Sequence, residues 1–498
     1  MRRLLYEVAF LFNLNYHPTM KTLLFSLSLL ISLSAIAGNS FTIVRGKQDT
    51  TTNKSHNIVC VTTPGNSAYI NGNKIHVYKT GAFGDNIKLN KGDNKITIRT
   101  KGKNGSTSQT LNIFLKDTPK KINIPTTPSR IIFDSPKYFT TINGAYLQYG
   151  DGGDRLGGSK IEYINGDIIV KAIEQKGELY KIQLSKNRFA YINKEYLNET
   201  NDTTSQINTG SWSISNAGKS DRISISLPKR IPYRSWTQLD PTTICVELFG
   251  ATNNSNWITQ RGNLGMIEYV DYRQDDSDVF KVIIKLKHKH SWGYSINYIN
   301  NNLVIDVKHT PSLNLKDLTI GLDAGHGGEY PGAKSATGLL EKEINLDMIL
   351  RIKALLEAKG AKVILSREKD INISMSDRKK IFTDNNIDLM ISLHNNSGGS
   401  PFTTMGTSTY YKHINNRELA SCMLNRLLEL GLKNFGLTGN FNFSLNAPTE
   451  YPNVLLEVLF MSSLPEEEML ANPDFRQQVA TKAVLGLEDY INSVKNNL

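Results

Sequence analysis

The sequence predicts a multidomain chain: three N-terminal all-β modules, then a C-terminal α/β catalytic domain with a mixed sheet flanked by helices. Three observations predict it. The 498 residues exceed what one core holds, since domains run at about 150 residues each. Up to residue 309, apolar and polar residues alternate in short runs punctuated by Asn-Gly turns, the period of half-buried strands. From residue 316 onward, apolar strand-like runs alternate with stretches of helical period, as in an α/β layer fold.

Composition narrows the class. The chain is 39% hydrophobic and 21% charged, near the globular average, so it can bury real cores. Its 37 Gly and 16 Pro exclude collagen-like or wholly disordered chains. Cys60, Cys245 and Cys422 are too few and too scattered for a disulfide scaffold or a cysteine zinc site. The net charge is +12, but residues 316–498 carry 19 Lys and Arg against 22 Asp and Glu. The basic surplus therefore lies upstream, where it attracts polyanions diffusely or reflects a lysine- and asparagine-rich composition. No basic cluster interleaved with aromatics occurs, so no nucleic-acid partner is expected.

Residues 1–37 read as an export signal. Met20-Lys21 is basic, Thr22 to Leu33 is apolar, and Ala35-Ile36-Ala37 is a small-x-small cleavage site. Met20 is the expected working start, with residues 1–19 an extension. No Cys follows the cleavage site, so no lipid anchor is expected. After residue 37 no apolar run approaches the ~18 residues of a membrane helix, so no membrane span is expected in the mature chain. The expected location is the periplasm or cell envelope, with secretion as the alternative.

Residues 41–117 predict a β-sandwich. Ser67–Ile70, Lys74–Tyr78, Asn86–Leu89 and Lys95–Arg99 alternate, with Asn71-Gly72-Asn73 and Lys91-Gly92-Asp93 between them. A Pro/Thr/Lys linker follows. Residues 130–198 repeat the style in a shorter unit, with runs at 167–170, 179–182 and 189–192. Its closing segment resembles the bacterial Src-homology-three-like small barrels that accompany cell-wall enzymes. After the polar linker 198–210, residues 211–309 form a third unit, with runs at 222–227, 243–248, 280–286 and 303–307. That order resembles AMIN domains, which implies targeting to peptidoglycan or the division site. His288 and His290 share one strand face, but no third ligand is near, so a solvated face is expected.

The C-terminal domain, 316–498, carries the chemistry. The buried strand Leu318–Asp323 runs into Ala324-Gly325-His326-Gly327-Gly328, where glycines let the backbone turn tightly around one His. Glu341 stands at the start of a helix whose Ile344, Met348, Ile352 and Leu355 recur at helical spacing. Strand 387–393 delivers His394, followed by Asn395-Asn396. Strand 453–456 delivers Glu457. Two imidazoles and a carboxylate form a ligand set for catalytic zinc that leaves a position for water. Glu457 is then free to act as general base. Singly, each has a bland reading: a His beside Gly is more often structural, and Glu at a helix start complements the dipole.

In combination the residues resemble a known family. Asp323–Gly328, Gly338–Leu346, Ser366-Arg367, Ser392–Asn396 and Pro452–Glu457 occur in the order found in zinc-dependent N-acetylmuramoyl-L-alanine amidases. The resemblance covers about residues 316–495. It implies a Zn2+ ion held by His326, Glu341 and His394, with Glu457 catalytic, and cleavage of the amide between N-acetylmuramic acid and L-alanine. It implies a structural Arg378 and an Asn396 that either shapes the site or holds substrate. Peptidoglycan is the implied partner, with an activator or division-site protein docking through the β modules. Ala324 replaces a common Pro, and Val458–Ser463 departs from the family's Gly before Phe. Only residues 395–406 separate His394 from the next strand, so no self-inhibiting helix is expected there.

Two other readings stay open at this level: a non-catalytic peptidoglycan-binding protein, and a zinc peptidase acting on the stem peptide. Other residues have simple expectations. His413 should lie on the surface, Glu466-Glu467-Glu468 should open or expose a short helix, and Cys422 should be core. Asp323 should cap or orient the His326 loop.

Overall fold

The computed structural model describes residues 39–117, 129–151, 160–255 and 257–497. The predicted export signal lies outside the described residues. These fall into two compact units, 39–117 and the remainder. Among the described residues no helix is long and apolar enough to cross a membrane.

In the first unit, a three-stranded and a five-stranded sheet share one core. Ile58, Cys60 and Phe83 come from one sheet, and Ile70, Ile96, Ile98 and Ile113 from the other. The turn at Asn71-Gly72 works as its residues predict. Both take positive φ, +49° and +82°, joining strands Ser67–Ile70 and Asn73–Ile75 through a two-residue hairpin.

The second unit opens with a seven-stranded sheet within residues 130–199. A five-stranded and a four-stranded sheet follow, within residues 212–308. One buried cluster runs from Phe139 and Leu147 through Trp212 and Phe280 to Val307. The polar linker between these segments thus joins parts of a common core. Polar bonds reinforce the joint: Glu162 Oε2 accepts from the Ser235 amide at 2.7 Å and its hydroxyl at 2.8 Å.

The α/β domain follows in the order β1 Thr319–Ala324, α1 Glu341–Ala358, β2 Lys362–Leu365, α2 Met375–Asp384, β3 Leu389–Asn396 and β4 Thr407–Tyr410. Then come α3 Arg417–Leu428, β5 Asn434–Thr438, β6 Asn453–Phe460, α4 Leu464–Ala471 and α5 Pro473–Asn496. The sheet order is β2-β1-β3-β6-β4-β5. It is mixed: β4 runs antiparallel to β6, while the other pairs are parallel. The central strands β3 and β6 are apolar almost throughout because helices cover the sheet. In α5, Phe475, Val479, Ala483, Leu487, Tyr490 and Val494 line one buried stripe. No helix interrupts residues 397–406 between β3 and β4.

The expectations for His290, His413 and Cys422 need correction here. His290 is not on a solvated face: its side chain is mostly buried, Nδ1 lies 3.3 Å from Glu418 Oε2, and its ring meets Tyr490 edge-on. The neighbouring Trp292 is fully buried and stacks on Tyr490. The loop between strands Val279–Leu286 and Tyr294–Ile299 is thus packed on the helices of the α/β domain. His413 is half-buried, and its ring N–H donates to the Ala447 carbonyl at 2.8 Å. Glu466 and Glu467 do open α4, but both are buried. Cys422 is half-buried, and burial pushes its thiol up to about 11.

Candidate metal centre and active site

The end of β1, the later residues of β3 and β6 and the start of α1 converge. His326 follows β1 directly and takes φ +63°, a left-handed conformation uncommon for a residue with a Cβ. Three side-chain bonds hold it there. Arg378 Nη2 donates to the His326 carbonyl at 2.6 Å, and Nη1 donates to the Ala324 carbonyl at 2.8 Å. Arg367 Nε donates to the same Ala324 carbonyl at 2.9 Å. Arg378 is itself buried and pairs with buried Asp323 at 2.5 Å. Asp323 therefore orients the loop, and Ser392 Oγ donates to its other oxygen at 2.7 Å.

The glycines fit this crowding. A Cβ on Gly325 would lie 2.3 Å from the His394 ring, and one on Gly332 would lie 2.3 Å from Glu341 Oε2. Both positions press backbone against a candidate ligand, which a larger residue would displace.

His326 Nε2 lies 3.2 Å from Glu341 Oε1, and His394 Nδ1 lies 3.1 Å from the same oxygen. The three ligand atoms all fall within 4.8 Å of one another. A tetrahedral zinc site with bonds of about 2.0–2.1 Å has ligand–ligand edges of roughly 3.3 Å. The donor set and two of its spacings therefore fit a zinc ion. Burial opposes ionisation of Glu341, and hydrogen bonding to His326 and His394 overcomes it, leaving the carboxyl below its ordinary range. Burial likewise disfavours a charged His394, and Glu341, Glu457 and Asp323 outweigh it, raising its pKa.

A supporting layer was not read from the sequence. The Ala333 amide donates to Glu341 Oε2 at 2.8 Å, and the Asn395 amide donates to Oε1 at 3.1 Å. Asn345 bridges Glu341 Oε1 and the Gly325 carbonyl, and Asn395 Nδ2 donates to Asn345 at 2.8 Å. Position 345 stands one helical turn after Glu341, so the i, i+4 spacing carried that signal. Buried Glu466 accepts from the amides of Met405, Gly406 and Phe460, tying the turn after β6 to the loop before β4.

Glu457 lies inside β6 rather than at its end, because the strand continues to Phe460. It is the register partner of His394 on β3. Burial pushes its carboxyl up to about 7; His394 pulls it down and Glu341 adds to the rise. Its Oε2 is buried with no hydrogen-bond partner among the described residues. Asn396 is half-buried, and its Oδ1 accepts from the Ser397 amide at 2.8 Å.

Comparison with known proteins decides the family. The sequence profile of N-acetylmuramoyl-L-alanine amidases matches residues 320–489, and that of the AMIN domain matches 212–310. The probable cell wall amidase LytH of Staphylococcus epidermidis is 32% identical over 240 residues, 45% of this chain and 78% of LytH. The chain belongs to the N-acetylmuramoyl-L-alanine amidase family. The uncharacterized protein YqiI of Bacillus subtilis is also similar, 32% identical over 177 residues, 34% of this chain and 84% of YqiI. The solved catalytic domain of CwlV, an amidase from Bacillus (Paenibacillus) polymyxa var. colistinus, is 31% identical; the match covers 35% of this chain and 98% of that one, with a TM-score of 0.34. This amidase is a peptidoglycan hydrolase acting on the amide between N-acetylmuramic acid and L-alanine. Of the three readings left open by the residues, the comparisons carry this one.

Proposed function

We propose that His326, Glu341 and His394 hold a zinc ion and that Glu457 is the general base for amide hydrolysis. One observation carries the reading: beside the ligand trio stands a buried carboxylate with an unpaired oxygen and a pKa raised to about 7. A general base works best when its pKa lies near the working pH. When bound, zinc supplies Lewis acidity to the scissile carbonyl and lowers the pKa of water toward ~7.

The chain's own residues do the rest. Glu457 accepts a proton from the attacking water as its oxygen bonds to the lactyl carbonyl carbon. When the C–N bond breaks, the same carboxyl returns that proton to the departing L-alanine nitrogen. Arg378 and Arg367 fix the carbonyls flanking His326, so the imidazole is aimed before substrate arrives. Asn396 stands one strand step beyond the ligand row and presents its amide to the glycopeptide.

The upstream modules fit a tethering role. The AMIN domain match, with the export signal read from residues 1–37, supports an enzyme exported to the cell envelope and held on peptidoglycan. A division-site or activator protein would dock through these β modules. The test is a pair of variants assayed for zinc and turnover. Glu457→Ala should keep zinc and lose turnover, whereas His326→Ala should lose both. Full turnover in Glu457→Ala would remove the general-base assignment.

A further inference from the structure

Two residues that carry buried polar atoms pair across β4 and β6. Ser408 is the register partner of Glu457 in this antiparallel pair. Directly opposed residues project from the same face, with Cβ atoms roughly 4.5–5.5 Å apart. Ser408 is fully buried, and its Oγ meets no well-aligned hydrogen-bond partner among the described residues. The same holds for Oε2 of Glu457. Native interiors pair nearly all such atoms, so each exception calls for a reason.

The adjacent hydroxyls sharpen the contrast. Thr407 Oγ1 donates to the Glu457 carbonyl at 3.4 Å, and Thr409 Oγ1 donates to the Ala420 carbonyl at 2.9 Å. Both serve the backbone, while the hydroxyl of the serine between them lies beside the Tyr410 phenol rather than on a backbone carbonyl. On the same face, burial raises the pKa of the Tyr410 phenol, the Glu457 charge adds to the rise, and hydrogen bonding with Ser408 and Asn396 opposes it. A polar row thus continues past Glu457 on the side away from the metal ligands.

We propose that Ser408 is a positioning residue for Glu457, donating its hydroxyl to one carboxylate oxygen so that the other stays aimed at the attacking water. A serine hydroxyl rotates freely about its C–O bond and can donate as soon as the carboxylate needs a partner. The terminal carboxylate torsion of Glu is broad and two-fold, so one fixed oxygen orients both. This inference rests on Glu457 being the base.

The test uses the purified zinc-loaded enzyme. Ser408→Ala is expected to lower kcat about 10- to 100-fold, the effect of a hydrogen bond to a charged group. KM should stay within twofold, zinc content should stay native, and Tm should not fall. Ser408→Thr keeps the hydroxyl and should hold kcat within about threefold. A purely structural serine gives the opposite result: deleting an unpaired buried hydroxyl leaves or raises stability and spares turnover. Native kcat in Ser408→Ala, or equal losses in the alanine and threonine variants at unchanged Tm, would overturn the proposal. Glu457→Gln assayed alongside separates the two readings. If it is inactive with full zinc while Ser408→Ala is unimpaired, only the role of Ser408 fails. If it is active, the base assignment fails first.

Discussion

The backbone of Gly325 lies against the imidazole of His394, so that a Cβ added there would sit 2.3 Å from Cε1 and 2.4 Å from Nε2. The main chain after β1 therefore sets the ring position of the proposed ligand carried by β3. Gly325→Ala should push that ring out of line with Glu341. We expect zinc affinity to drop about 10- to 100-fold, the usual scale for disturbing a ligand's support. Competition with a chelator measures it, and far-ultraviolet circular dichroism should stay unchanged.

Arg378 is buried with Asp323 and also satisfies two carbonyls beside the site. Removing one partner of a buried pair leaves the other charge uncompensated. Arg378→Ala should destabilise the protein by about 3–5 kcal/mol. Urea unfolding followed by fluorescence checks this, and a change under 1 kcal/mol would contradict it.

His413 ties stability to acidity. Burial, with Lys412 adding, pushes its pKa down to about 3. The ordinary value is about 6.5, so between those limits the unfolded chain binds the extra proton. Stability from this group is complete above pH 6.5 and is lost as pH falls toward 3, at up to about 1.4 kcal/mol per pH unit. His413→Asn keeps a donor for the Ala447 carbonyl and removes the titration. Its unfolding free energy should depend less steeply on pH between 4 and 6 than that of the parent protein.

Trp292 is buried against Tyr490 of α5, where the upstream sheets meet the α/β domain. Trp292→Ala should cost about 3–5 kcal/mol, the range for emptying a packed aromatic site. Limited proteolysis should then cut between residues 286 and 319 sooner than in the parent protein. Equal cleavage rates would mean that this contact does not hold the two parts together.

The clustered trio proposed as ligands was legible because each member interrupts an apolar run at a strand end or helix start. His326 sits among glycines, His394 follows five apolar or small residues, and Glu341 opens an amphipathic helix. The ordered short motifs made the family legible too. What stayed hidden depends on distant pairs. His290 meets Glu418 and Trp292 meets Tyr490, partners more than a hundred residues apart that no local period encodes. Glu466 and Glu467 read as a charged helix start, since buried and exposed first-turn carboxylates look alike in sequence. Ser408 carries no local signal, because its importance lies in facing Glu457 across two strands.

The central claim is that this chain is a zinc amidase with Glu457 as its base. The most direct measurement is digestion of purified sacculi by the zinc-quantified protein and by Glu457→Gln, with the new ends identified by mass spectrometry. The account predicts one zinc per chain in both. It predicts free L-alanine amino ends with intact glycan strands from the parent protein, and turnover reduced about 10²- to 10⁴-fold in the variant. Parent-like release of L-alanine ends by Glu457→Gln, or cleavage within the stem peptide by the parent, would contradict it.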